Sequence, residues 1–87
     1  MDVHNFMEDV VKNLLEVLMA ERSDICNCEK CRLDIMAVAL NKLQPKYVVT
    51  EKGRVYLKLT ELELQFRADV ARELTKSIEF VKTHQKH

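Results

Sequence analysis

The sequence predicts an all-α protein: a small bundle of three to four helices, with a short hairpin or extended stretch near residues 47–57, that assembles as a homodimer. Apolar residues recur with the 3.6-residue period of a helix near both ends of the chain. A length of 87 residues indicates that residues 1–87 form a single domain. One Gly and one Pro exclude collagen-like, linker-like and low-complexity proteins.

The first predicted helix runs from about residue 2 to about residue 21. Its apolar positions follow one another at intervals of three and four, and charged or amide side chains separate them. Acidic residues in the first turns favour this helix, because they interact with the positive end of its dipole. The apolar stripe comprises Val3, Phe6, Met7, Val10, Val11, Leu14, Leu15 and Leu18.

The second predicted helix covers about residues 29–44 and carries apolar residues around most of its circumference. This distribution is typical of a central helix, or of one that a second chain covers on its other side. Pro45 ends the helix, because the residue before a proline avoids helical backbone angles. The apolar set is Ile35, Met36, Val38, Ala39, Leu40 and Leu43.

The segment after the second helix has two interpretations. In the first, strands at residues 47–49 and 55–57 flank a turn that contains Gly53. In the second, a helix starts near Arg54, because several apolar residues beyond it share helical spacing. We expect an extended stretch at 47–49 and leave residues 54–59 open between strand and helix.

The last predicted helix runs from residue 60 to about residue 83, and Thr60 with Glu63 forms a capping-box pattern at its start. Such a helix is about 36 Å long. A globule of this size has a radius of gyration of only about 12 Å. We therefore expect part of its apolar stripe to pack on a second subunit. The stripe comprises Leu62, Phe66, Val70, Leu74, Ile78 and Val81.

Three cysteines, Cys26, Cys28 and Cys31, form the clearest chemical motif of the chain. A Cys-x-x-Cys spacing can wrap two thiolates around one tetrahedral ion, and Cys26 is near enough to supply a third. The cluster lies where a loop meets the start of a helix, and free N–H groups there stabilise thiolates. We predict a structural Zn²⁺ ion. Reduced thiols without a metal, and a thioredoxin-like redox role that lacks its βαβ context, are the alternatives.

Three cysteines leave the fourth zinc position to another ligand. The candidates are Asp34, Glu29, His4, a water molecule or a group from a partner chain. A water ligand would resemble a catalytic zinc. The sequence shows no Ser/His/Asp arrangement, Gly-rich phosphate loop or carboxylate pair that would complete an active site. We therefore predict a protein that is not an enzyme and has no catalytic residues.

The net charge of zero conceals an uneven distribution. Residues 1–43 carry an excess of three negative charges, and residues 44–87 carry the matching positive excess, all of it within the segment Lys46–Lys58. Cations, tyrosines and a glycine in one bend are what a nucleotide site requires. A solvated basic turn is the alternative. The candidate ligand-binding residues are Lys46, Tyr47, Thr50, Arg54 and Tyr56.

The cellular setting is predicted from the same composition. The longest apolar run, Ile35 to Leu40, is only six residues and cannot span a membrane. No targeting segment is recognisable, so we expect a cytoplasmic protein without membrane contact. A basic excess of three charges, confined to one bend, also argues against nucleic acid as the partner.

Four motifs, spread over about residues 3–82, resemble the bacterial late-competence ComFB family, and their combination is far more specific than any one alone. They are Val3–His4–Asn5–Phe6–Met7–Glu8, Cys26-x-Cys28-x-x-Cys31-x-x-Asp34–Ile35, Ala39–Leu40–Asn41-x-Leu43-x-Pro45-x-Tyr47–Val48–Val49–Thr50 with Gly53, and Leu64-x-Phe66-x-x-Asp69. The chain departs from the family in having three cysteines and in placing Gln44 where a proline is expected before Pro45.

The resemblance implies a helical homodimer with a cysteine-bound zinc in each subunit and no known enzymatic activity. It also implies a receptor for cyclic dinucleotides, chiefly cyclic di-GMP, linked to competence, motility or cell-size control through an unknown downstream protein. The alternative is a structural or adaptor protein that binds a protein partner in a DNA-uptake or signalling assembly, without a small-molecule ligand. The candidate binding residues come from the basic segment and not from the family.

Overall fold

A computed structural model of the chain describes residues 2–50 and 55–84, and the side chains of all of these except residues 2, 48, 50, 55–60 and 62. The described residues form three helices and two short strands, which confirms the predicted all-α class. In chain order the elements are β1 (Asp2–Asn5), α1 (Phe6–Ala20), α2 (Glu29–Lys42), β2 (Tyr47–Thr50) and α3 (Val55–Thr83).

The two strands pair antiparallel, with Val3 opposite Val49 and Asn5 opposite Tyr47. The predicted extended stretch at 47–49 is therefore confirmed, whereas a first helix that starts at residue 2 is wrong. The helix starts at Phe6, because the Asn5 side chain accepts a hydrogen bond from the backbone N–H of the second helical residue, as an N-cap does. Residues before that cap are released from the helix and pair with β2.

Helix α3 starts at Val55, five residues before the predicted capping box at Thr60. The hairpin interpretation is therefore wrong, and residues 55–59 belong to the helix. At 29 residues α3 is about 43 Å long, and it spans a molecule that measures 40 × 20 × 20 Å. Charged residues punctuate it, and nowhere in the described ranges does a helix combine the length and apolar character of a membrane span.

The hydrophobic core lies between α1, α2 and the C-terminal half of α3. Its members from α3 lie on one face at helical spacing, so this part of the predicted stripe packs within its own chain. Leu64, on the N-terminal half of α3, is 78% exposed. A second subunit against this half of the helix stays a prediction. The core residues of α2 and α3 are Ile35, Ala39, Val70, Leu74, Ile78 and Val81.

Candidate metal centre and the basic segment

The connection between α1 and α2 brings the three cysteine sulfurs together. Cys26 and Cys28 precede α2, Cys31 lies in its first turn, and the three Sγ atoms are within 4.8 Å of one another. Zinc–sulfur bonds of about 2.3 Å in a tetrahedral site place sulfurs about 3.8 Å apart. Small side-chain rotations therefore suffice to bring all three onto one ion, so the residues fit the predicted zinc.

Cys28 has a second role as the N-cap of α2. Its Sγ accepts a hydrogen bond from the backbone N–H of Cys31 at 3.4 Å, as a thiolate ligand at a helix start would. Glu29 and Lys30, between the two cysteines, are exposed, so the first turn of α2 presents its sulfurs inward and its charges outward. The Cys-x-x-Cys spacing thus sets both the helix start and the ligand geometry.

Burial governs the acidity of the innermost thiol. Cys31 is 1% exposed, and desolvation, followed by hydrogen bonds with Cys28 and Cys26, raises its pKa to about 11. A bound divalent cation reverses this effect, because it stabilises the thiolate directly. The pKa of Lys30 is raised in turn, mainly by its hydrogen bond to Asp34 and to a smaller extent by the charges of the cysteines.

The carboxylates and the imidazole proposed as fourth ligands do not join the three sulfurs. Within residues whose side chains the structure describes, the metal-ligating group contains the three cysteines and no carboxylate or imidazole. The Asp34 carboxylate instead contacts Lys30 Nζ at 2.7 Å, and His4 Nε2 contacts the Asp9 carboxylate. Of the candidates, a water molecule and a group from a partner chain are consistent with this arrangement.

An ion-pair network holds the loop that leads into the cysteines. Arg22 binds Asp24 through two hydrogen bonds of 3.0 and 2.7 Å and reaches Glu79 of α3 at 2.7 Å. Lys82 of α3 contacts Asp24 at 2.8 Å. Arg22, then Lys82, hold the pKa of the Asp24 carboxyl well below its usual range. Local sequence patterns gave no signal for the contacts with α3, because Glu79 and Lys82 lie more than fifty residues from Arg22 and Asp24.

The structure places Lys46 at the entrance to β2, partly buried, with its Nζ 4.7 Å from the centre of the Phe66 ring. This is the distance of a cation–π contact. Phe66 was expected in the apolar stripe of the last helix, and it does pack against the core. Its second role beside a cation was missed, because periodicity identifies a face of a helix and not what arrives there from another segment.

The other predicted ligand-binding residues are placed less fully. Tyr47 begins β2 and is 63% exposed. Thr50 ends β2 opposite Asp2, and Tyr56 lies in the first turn of α3, but the side chains of these residues are outside the described set. Arg54 lies outside the described residues altogether. Lys46 and Tyr47 are thus the two predicted ligand-binding residues whose side chains are described, and both lie where β2 starts.

Comparison with known proteins shows where this architecture belongs. Residues 4–85 match the family of the late competence development protein ComFB. Competence protein ComFB of Bacillus subtilis (strain 168) is 36% identical over 61 residues, which make up 70% of this chain and 62% of that protein. The chain thus matches somewhat less than two thirds of that relative's length.

A solved structure of the late competence protein ComFB from Bacillus subtilis shares the fold, with a TM-score of 0.78. The superposition covers 98% of this chain and 93% of that one, at 29% sequence identity. The family match spans almost the whole sequence and includes the cysteine cluster, all of β2 and the second half of β1. The chain therefore belongs to the ComFB family of late competence development proteins.

Proposed function

We propose that this protein is a non-enzymatic regulatory receptor: a zinc-containing cytoplasmic homodimer that binds a cyclic dinucleotide, with cyclic di-GMP as the ligand, and links it to competence, motility or cell-size control. The observation that carries the proposal is the contact between Lys46 and Phe66 in a chain of the ComFB family. It places a cation and an aromatic ring side by side at the start of the basic segment.

The chemistry of the ligand matches this segment. A cyclic dinucleotide carries two phosphate charges and two purines, so its site needs cations and flat side chains. Lys46 supplies a cation, and Tyr47, at 63% exposure, presents a ring that a base can stack on. Arg54, Thr50 and Tyr56 complete the proposed site from the sequence, as a phosphate or guanine partner, a polar contact and a second ring.

A homodimer suits this ligand because both are two-fold symmetric. Each subunit can present the same residues to one half of the molecule, so one set of contacts is used twice. Leu64, on the N-terminal half of α3, is 78% exposed, and an interface there would cover this apolar side chain.

In this proposal the zinc is structural. Cys26, Cys28 and Cys31 would hold it, and it would supply folding free energy by fastening the loop after α1 to the first turn of α2. The ligand-binding residues lie on other elements, near β2 and α3. Loss of the metal should therefore reduce stability before it reduces the affinity for a dinucleotide.

Calorimetric titration of the purified protein with cyclic di-GMP tests the proposal. We expect saturable binding to the wild type and weaker binding to Arg54→Ala. Lys76→Ala, which removes an exposed cation from the C-terminal half of α3, should bind as the wild type does. No binding to the wild type would refute the receptor function. Unchanged affinity in Arg54→Ala would remove only that residue from the site.

An adaptor protein without a small ligand is the second candidate. Val3 and Val49 face each other across the two strands, and they are 70% and 67% exposed. An apolar cross-strand pair in water is a feature of surfaces that contact other proteins. This candidate predicts that a protein of a DNA-uptake or signalling assembly co-purifies with the chain, and that cyclic di-GMP produces no heat.

A further inference from the structure

A cleft of about 200 Å³ lies between the C-terminal end of α2, the entrance to β2 and the middle of α3. Its polar and aromatic walls come from three parts of the chain: Lys42 from α2, Gln44 and Lys46 from the connection between α2 and β2, and Phe66 and Asp69 from α3. Val70, at 0% exposure, forms part of its base. The cleft thus combines an apolar floor with two cations, one ring and one carboxylate.

The two α3 residues of this cleft act together because of their spacing. Phe66 and Asp69 are three positions apart in a helix, so their side chains lie on the same face, one turn apart. Phe66 is partly buried and therefore has a fixed ring, whereas the Asp69 side chain is 65% exposed. The contact that Asp69 makes with Arg72 is long, at 3.4 Å, and leaves carboxylate lone pairs for a ligand.

A ring and a carboxylate at this spacing select one kind of base. Any purine can stack on Phe66. Guanine presents two neighbouring donors, N1–H and the exocyclic amino group, which one carboxylate can accept together, while adenine presents a bare N1 acceptor that a carboxylate repels. Asp69 therefore discriminates between purines in a way that the cations Lys42 and Lys46, which recognise phosphate, do not.

We propose that this cleft is a guanine-nucleotide subsite, in which the base stacks on Phe66 in place of the Lys46 ammonium. Asp69 accepts from the N1–H and amino group of the base, and Lys42 and the displaced Lys46 contact its phosphate. The proposal rests on the receptor function above and deepens it, because it assigns the base preference to α3. Pockets for drug-sized ligands measure about 300–1,000 Å³. A smaller cleft holds one base, so the second base of a dinucleotide requires the cleft of a second copy.

Mononucleotides test this subsite without depending on the dinucleotide. Guanosine 5′-monophosphate and adenosine 5′-monophosphate are titrated into the zinc-loaded full chain and followed by amide chemical shifts. We expect the guanine nucleotide to bind more tightly and to shift amides of residues 42–46 and 66–70. Asp69→Asn should weaken the guanine nucleotide by about 5- to 150-fold, the discrimination of a bidentate base contact, and should leave the adenine nucleotide unchanged or tighter.

Two further variants separate recognition from folding. Glu73→Gln removes a carboxylate one turn beyond Asp69 and should retain the guanine preference. Phe66→Leu keeps an apolar group against the core and should weaken both nucleotides alike, because stacking does not depend on the base. Equal binding of the two nucleotides to the wild type, or an unchanged preference in Asp69→Asn, would overturn the subsite.

The same titrations distinguish this inference from the receptor function. If cyclic di-GMP binds and Asp69→Asn binds it equally well, the subsite is wrong and the receptor function stands. If guanosine 5′-monophosphate binds with the expected preference and cyclic di-GMP does not bind, the subsite stands and the receptor function is wrong. If neither ligand binds, both the subsite and the receptor function are contradicted.

Discussion

The Asn5 side chain fastens the start of α1 to the start of β2: its Oδ1 accepts a hydrogen bond from the backbone N–H of Lys46 at 2.9 Å. The same oxygen accepts from the N–H of Met7 at 3.1 Å, and the N–H of Phe6 donates to the Lys46 carbonyl at 2.8 Å. One amide thus caps a helix and positions the backbone of the first residue of the basic segment, forty-one positions away.

Asn5→Ala should lower the free energy of unfolding by about 1–3 kcal/mol, because it removes a helix cap and leaves the Lys46 N–H without this acceptor. Asn41→Ala, at an exposed position of α2, should change stability by less than about 0.5 kcal/mol. Urea unfolding of both variants measures the difference. Asn5→Asp, which keeps an acceptor, should recover most of the loss, and equal stability of the two alanine variants would contradict the role of Asn5.

The cysteine cluster should bind close to one zinc ion per chain by elemental analysis. Cys28→Ser should lower the thermal midpoint by about 10 °C or more, because it removes a metal ligand, whereas the serine hydroxyl can still cap α2. Ser23→Ala, in the same loop, is the matched control and should have little effect. A stably folded preparation without metal would refute the structural role of zinc.

The same variant separates stability from ligand binding. The cysteines lie between α1 and α2, and the proposed nucleotide site lies near β2 and α3. At a temperature where Cys28→Ser is still folded, its affinity for cyclic di-GMP should therefore be close to that of the wild type. A large loss of affinity in folded Cys28→Ser would show that the metal centre and the ligand site are coupled.

Of the two halves of α3, the C-terminal half should contribute more to the free energy of unfolding. Leu74 is 0% exposed and Leu64 is 78% exposed on the same helix. Leu74→Ala should cost about 2–5 kcal/mol, because it removes buried contacts and leaves a cavity. Leu64→Ala should cost less than about 0.5 kcal/mol in a monomer. If Leu64 lies in a dimer interface, its substitution should instead lower the dimer fraction in analytical ultracentrifugation.

Asp24 should make the free energy of unfolding depend on pH in the acidic range. Its pKa is lowered in the folded chain by Arg22 and then Lys82, so its contribution is complete above the unfolded value of about 4. That contribution is lost as the pH falls through the lower folded value. The stability difference between the wild type and Asp24→Asn should therefore be largest near pH 7, shrink below about pH 4, and also shrink in high salt.

Zinc release at low pH acts on the wild type and on Asp24→Asn alike, so the difference between the two proteins isolates the carboxylate. Glu21→Gln, an exposed carboxylate in the same loop, is the control and should show little difference at any pH. Because the network is exposed to solvent, the effect should be small. A difference that stays constant from pH 7 to pH 3 would contradict the ion-pair explanation.

Local features of this fold could be predicted from the sequence, and long-range ones could not. The apolar stripes of α1 and α3 are visible in the sequence because their residues recur with the period of a helix. The Cys28–Cys31 pair is visible because its spacing is typical of a metal-binding loop. The pairing of β1 with β2 could not be predicted from the sequence, because the strands lie more than forty residues apart and Val3 also fits a helical stripe. Only a recognised cap at Asn5 would have separated strand from helix.

The candidate sites divide in the same way. The metal ligands were identifiable because all three lie within six consecutive residues. The cleft around Phe66 was not, because its walls come from α2, the entrance to β2 and α3, and each wall has an ordinary local explanation. A charged residue at a helix end and an aromatic residue in an apolar stripe form one site only when the tertiary fold brings them together.

Titration of the zinc-loaded protein with cyclic di-GMP tests the central claim most directly. The receptor function predicts saturable heat in the wild type. The guanine subsite adds that one dinucleotide binds for every two chains, and that Asp69→Asn binds it more weakly than Glu73→Gln does. A wild-type protein that is folded and zinc-loaded, yet releases or absorbs no heat with cyclic di-GMP, would contradict it.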